Sequence, residues 1–102
     1  MYTLVMRDVD APGGNWLNWL KGNIPGDSLL YGPSGGVDIG GFSYMKPSPP
    51  TPNQFETLIY KQPSTSTPFV STSSRLSFDL DSFVAANGLG GVIASHCFVV
   101  YP

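Results

Sequence analysis

A mainly β fold with one short helix near the C-terminus is the architecture this sequence predicts, and three observations carry it. Apolar residues come in short runs, at 2–6, 16–20, 55–60 and 97–100, separated by Gly, Pro, Ser and Asn. Charged residues make up 12% of the chain while Pro (10) and Gly (12) are abundant, so the chain turns often and builds its polar surface from Ser, Thr and Asn. Residues 79–88 carry the cap, apolar face and stop of a single short helix. With 102 residues the chain suffices for one domain around one core, burying ~65% of its unfolded surface.

The first strand is Tyr2-Thr3-Leu4-Val5-Met6. Its residues favour the pleated conformation, and a continuous apolar run predicts burial on both faces. Pro12 lacks a backbone donor and pushes Ala11 toward extended geometry, so the ladder stops before it. The run delivers Asp8 and Asp10 to its C-terminal end, on one side if the chain there is extended. Acids at that place either line a pocket or cap turn donors, and local chemistry alone favours the turn.

Gly13-Gly14 continues the turn. Trp16-Leu17-Asn18-Trp19-Leu20 fits both a strand and a helical face; its shortness and flanking glycines favour strand, ending at the Pro25-Gly26 turn. Residues 26–54 are rich in Gly, Ser and Pro, with apolar islands at 29–31 and 42–45. Gly35-Gly36 and Gly40-Gly41 lack the context and Gly-Lys-Ser/Thr signature of a phosphate loop, which excludes a nucleotide site there. Phe55, Thr57, Ile59 and Lys61 alternate with Glu56, Leu58 and Tyr60 in the period of a strand. Residues 63–77 read as a polar linker with little to bury. Asp79 caps a helix in which Leu80, Phe83 and Val84 share a face and Gly88 provides the stop. A last strand, 92–101, contains Cys97, expected as a small core residue, and His96, expected to be structural rather than a catalytic base.

The five basic residues are scattered and the net charge is −2, so no patch exists to neutralise successive phosphates, and nucleic acid is not an expected partner. No run is long enough for a transmembrane segment, and a signal peptide's basic and apolar regions are not visible, which favours a cytoplasmic location for the chain as given.

Four blocks in order resemble the phosphatidylethanolamine-binding protein family, which includes the Raf kinase inhibitor protein. Tyr-Thr-Leu-Val-Met with Asp-x-Asp-Ala-Pro spans residues 2–12. Asn15-Trp16-Leu17-Asn18-Trp19-Leu20, continued by Asn23-Ile24-Pro25-Gly26, is similar to the family's Glu-Trp-x-His-Trp-Leu-Val-x-Asn-Ile-Pro-Gly. Tyr44-Met45-Lys46-Pro47-Ser48-Pro49-Pro50 and the strand ending at Gln62 form the third block, and residues 78–94 the fourth, with Val92 where the family usually has Pro. The resemblance implies a β-sandwich, a non-enzymatic binding function, and a small pocket for a phosphoanion or phospholipid headgroup. Its lining would be Asp8, Asp10, Pro12, Trp16, Asn18, Pro49, Pro50, Asn53 and Phe55. No cofactor and no metal are expected. Two departures stand out: Asn18 and Asn53 replace the two pocket histidines, and the family's strands before the first block are missing, so an N-terminally shortened, partial domain is expected, with an exposed sheet edge open to self-association.

An Asn amide gives a phosphate a neutral hydrogen bond of about 1 kcal/mol where an imidazolium gives roughly 1.5–3. Paired carboxylates repel the anion further, so phosphate affinity should be weak and selectivity should move toward zwitterionic or cationic groups. The resemblance also implies inhibition of a kinase or protease by binding. The alternatives are a degenerate copy acting only through protein contacts and, from another class, a hydrolase using Asp8 and Asp10 as acid and base.

Overall fold

The computed structural model describes residues 1–29, 35–64 and 69–102. Five strands, β1 (Tyr2–Asp8), β2 (Trp16–Ile24), β3 (Val37–Asp38), β4 (Asn53–Lys61) and β5 (Val92–Val100), form one antiparallel sheet in the order β3-β2-β1-β4-β5. Among the described residues the single α-helix, α1 (Leu80–Ala86), lies near the C-terminus. The mainly β class with one short helix is as expected, and the described strands compose a single sheet.

β1 is the central strand, flanked by β2 and β4, which is why its apolar run is continuous. One face of the sheet packs Val5, Leu17, Leu20, Leu58 and Tyr60 beneath Ile39, Phe78, Phe83 and Leu89, the last three brought by α1 and its flanks. The other face gathers Leu4, Met6, Ile24 and Phe55, with Tyr2, Trp19, Ile59 and Phe98 packed against them. The alternation expected for β4 holds: Phe55 and Ile59 belong to one cluster, Leu58 and Tyr60 to the other. β2 forms as a strand and runs through Gly22 to Ile24, just before the expected Pro25-Gly26 turn, with Phe69 and Ile39 occupying the place where a side chain at position 22 would stand.

The end of the sheet away from the Asp8 turn is closed by Gln62, whose amide accepts from Thr3 Oγ1 (3.0 Å) and from the Asn23 backbone N–H (2.7 Å), and donates to Asn23 Oδ1 (2.8 Å). At the other side, Asp79 accepts from Ser82 N–H (3.1 Å), and Gly88 follows the helix at φ +63°, so α1 starts and stops where its cap and glycine dictate.

Two expectations are corrected. The stretch 63–77 is not a linker with little to bury. Residues 65–68 lie outside the described residues, but Phe69 packs on the core, Asn87 grips the backbone of Val70 from both sides (2.7 and 2.9 Å), and Arg75 reaches into the sheet. Cys97 is not a core residue either: β5 is an edge strand among the described residues with both faces largely exposed, so Cys97 is exposed, and the neighbouring His96 ring rests 5.9 Å from that of Phe98. The island at 29–31 falls largely outside the described residues, while its counterpart at 42–45 lies over β2.

Candidate functional site

The C-terminal end of β1 sets the site. Asp8 is the last residue of the strand, opposite Trp16 of β2 and Phe55 of β4. Its side chain is only 6% exposed, yet both carboxylate oxygens are engaged: Oδ1 accepts from the Asp10 backbone N–H (3.0 Å) and Oδ2 from the Asn53 amide (2.8 Å). The first bond is the turn expected of Asp. The strand therefore stops before Asp10, and the alternation that would have set the two acids side by side ends with it. Asp10 is exposed and accepts from the Gln54 backbone N–H (2.8 Å). It does not line the cavity described below, and the two carboxylates do not face each other across it as an acid and base pair would.

Asn18 reaches the site through an irregularity in the ladder. Arg7 pairs with Leu17 and Met6 with Trp19, so Asn18 has no opposite residue on β1 and forms a β-bulge. A bulge turns a side chain away from the alternation it would otherwise follow. The freed backbone is held from outside the strand: the Asn18 carbonyl accepts from Arg75 Nη1 (2.8 Å) and from the Met45 N–H (2.8 Å). Arg75 also donates to the carbonyls of Leu17 (3.0 Å) and Ser43 (2.8 Å), and its guanidinium lies 5.5 Å from the Phe42 ring. Nothing in the sequence marks Arg75; it sits among serines and threonines, and only the fold brings it to the bulge.

Asn18 is 3% exposed, and its amide nitrogen donates to the Met45 carbonyl (3.1 Å). That bond fixes the amide's orientation and leaves Oδ1 as a buried acceptor without a hydrogen-bond partner among the described residues. Asn53, also 3% exposed, is held at both ends of its amide: the nitrogen donates one N–H to Asp8, and the oxygen accepts from Thr51 Oγ1 (3.0 Å).

These residues enclose a cavity of about 420 Å³. Eight of the nine residues expected of the site border it: Asp8, Pro12, Trp16, Asn18, Pro49, Pro50, Asn53 and Phe55. Ala11, Met45, Lys46, Ser48 and Leu76 complete the wall. The prolines and the ring of Phe55, stacked 5.7 Å from Phe98, give it rigid apolar sides. Its polar border combines the buried Asp8, Asn18 and Asn53 with Lys46, a cation on the exposed loop before the prolines.

A second cavity of about 390 Å³ lies on the opposite face beside the Arg7–Glu56 ion pair (2.7 Å), between the 14–15 turn and the start of α1. Among the described residues, no helix is long and apolar enough to cross a membrane.

The chain is 33% identical over 104 aligned residues to CEN-like protein 1 of Nicotiana tabacum, an alignment that covers 95% of this chain and 56% of the relative. The chain thus spans about half the length of the curated relative it matches. No family model matches it.

Proposed function

From the premise that the likeness to CEN-like protein 1, a member of the phosphatidylethanolamine-binding protein family, supports a relationship to that family, we propose that this chain is a non-enzymatic binding module with a small-ligand pocket at the end of β1. The single observation that carries the reading is the convergence of Asp8, Asn18 and Asn53, distant in sequence and all buried, on one cavity with proline and aromatic walls. Small-ligand sites combine this kind of apolar enclosure with a few convergent polar groups.

The pocket takes a phospholipid headgroup or a related small molecule, and binds free phosphate weakly. No imidazolium is present at positions 18 and 53, and Asp8 contributes negative charge to the floor. Binding, rather than turnover, follows from the committed hydrogen bonds of Asp8 and from the outward position of Asp10. The test is a thermal melt followed by light scattering, alone and with phosphoethanolamine in excess. A ligand that binds only the folded state raises the midpoint, by a free energy of about 2.7 kcal/mol at 100 times Kd. A transition indifferent to the ligand would overturn the pocket reading.

A second reading, action through protein contacts such as inhibition of a kinase or protease by binding, is favoured by a separate observation. β5 is an apolar edge strand that leaves both its side chains and one row of backbone groups open to another chain. The two readings are compatible, because the pocket and the β5 edge use different surfaces.

A further inference from the structure

We propose that Thr51 is a phosphorylation site for a proline-directed protein kinase, and that a phosphate there detaches Asn53 from Asp8 at the start of β4. Neither step requires a ligand in the cavity.

The loop before β4 has the form such a kinase takes as substrate. Residues 47–52, Pro-Ser-Pro-Pro-Thr-Pro, place a proline two positions before Thr51 and another directly after it, and they form no helix or strand. Each proline fixes its own φ and pushes the residue before it toward extended geometry, so a kinase cleft can bind the stretch without first unfolding an element. Pro50, Thr51 and Pro52 are all exposed. Two other Ser/Thr-Pro pairs occur in the chain. In Ser48-Pro49 the proline is buried against the cavity and is not free to be recognised, and Thr67-Pro68 lies outside the described residues.

The Thr51 hydroxyl holds a buried pair together. Its Oγ1 donates to Asn53 Oδ1 (3.0 Å), and the 3% exposed Asn53 donates from the other end of its amide to Asp8 Oδ2 (2.8 Å). One exposed proton thus orients a buried amide on a buried carboxylate. In the transfer, the Thr51 oxygen attacks the γ-phosphorus of ATP: an O–P bond forms, the bond to ADP breaks, and the hydroxyl proton passes to the base of the kinase. The ester oxygen keeps no proton, so Asn53 Oδ1 loses its donor and faces a charge of about −1.5 to −2 instead. Turning the amide to offer that phosphate an N–H sets Oδ1 against the Asp8 carboxylate, so either orientation leaves acceptor facing acceptor. Asp10, which accepts from the Gln54 backbone N–H, adds like charge beside the same residues. Lys46, the one basic residue of the loop, is exposed, and an ion pair with it there returns little.

The experiment treats the folded full chain with ATP and an active mitogen-activated protein kinase, a class that favours proline at both of these positions. Fragment mass spectrometry locates the phosphate, and the Asn53 side-chain NH2 resonances and the thermal midpoint are compared between the two forms. The expected result is transfer to Thr51, abolished in Thr51→Ala and sharply reduced in Pro52→Ala, with the Asn53 resonances displaced. The midpoint should fall by about 4–8 °C, as loss of a hydrogen bond implies in a domain of this size. Thr51→Ala removes the same donor without adding charge, so its midpoint should fall less, and the gap between the two should narrow as salt is raised. No phosphate on Thr51, or phosphate only on Ser48 or Thr67, would overturn the site. Phosphate on Thr51 with the Asn53 resonances and the midpoint unmoved would overturn its coupling to Asp8. A fall equal to that of Thr51→Ala at every salt concentration would overturn the part assigned to charge.

Discussion

Arg75 shows how much of this site depends on one side chain outside it. Its guanidinium satisfies three carbonyls, at Leu17, Asn18 and Ser43, and two of these belong to the bulge that turns Asn18 inward. A lysine places a single ammonium at the end of a flexible stem and cannot span the same fork. Arg75→Lys should therefore destabilise the fold by about 1.5 kcal/mol, the lower end for charge-assisted bonds because Arg75 is part-exposed. It should also weaken ligand binding although Arg75 does not line the cavity; urea denaturation and titration of the same variant read the two effects separately. Tyr60 makes a prediction in pH. Burial raises its pKa above the usual value, an effect that the neighbouring Arg7 partly offsets. A group whose folded-state pKa is raised stabilises fully below its unfolded pKa and loses that contribution as pH rises through the folded value. Denaturant midpoints measured from about pH 8 to about pH 12 should thus fall above about pH 10, and Tyr60→Phe should flatten the decline. At this scale the sequence was only partly legible. Asp8, Pro12, Trp16 and the Pro49-Pro50 pair were readable as one set because the motif blocks carry them. Asp10 was misplaced because the turn at Asp8 ends the alternation one residue too early for it, and the Asn18 bulge exists only in the pairing of β2 with β1.

Among the elements, β2 and the segment around Phe69 are the most closely interdependent. A Cβ added at Gly22 would stand 2.5 and 2.6 Å from atoms of the Phe69 ring and 2.9 Å from Ile39 Cδ1, so the glycine is required by the packing of the ring rather than by a turn. Gly22→Ala should cost about 1–3 kcal/mol as an overpacked position, and Phe69→Ala in the same chain should recover part of that loss; thermal melts of the single and double variants give the coupling. The strands β1, β2 and β4 were legible from their runs and alternation, and α1 from Asp79 and Gly88, because each of those signals is local. The segment holding Phe69 and Arg75 was not, since one aromatic and one cation among Ser, Thr and Pro acquire their roles only from partners on β2 and α1.

For the molecule as a whole, the decisive feature is where the sheet stops. An uncovered edge was expected from missing strands before the first block; β1 instead lies at the centre of the sheet, and β5 is an edge strand among the described residues. The residues from Ser82 to Pro102 include no Asp, Glu, Lys or Arg, and Ile93 and Val99 are 54% and 51% exposed. Natural edges are usually protected by a charge, an interior proline or a cover, and none of the residues of β5 is a lysine or a proline. The strand is also self-complementary. Two copies aligned antiparallel about His96 would set Val92 opposite Val100 and Ile93 opposite Val99, with no like charges facing each other. Sedimentation velocity at rising protein concentration should therefore show reversible association of this chain with itself. Val99→Lys, which opposes a charge to an apolar residue in such a pair and costs little on an exposed position of the monomer, should shift the association to higher concentration without lowering the melting midpoint. A monomer at every concentration would mean that the β5 edge is matched to a different chain, and the unchanged melt of Val99→Lys would then show that the sheet does not need that neighbour in order to fold.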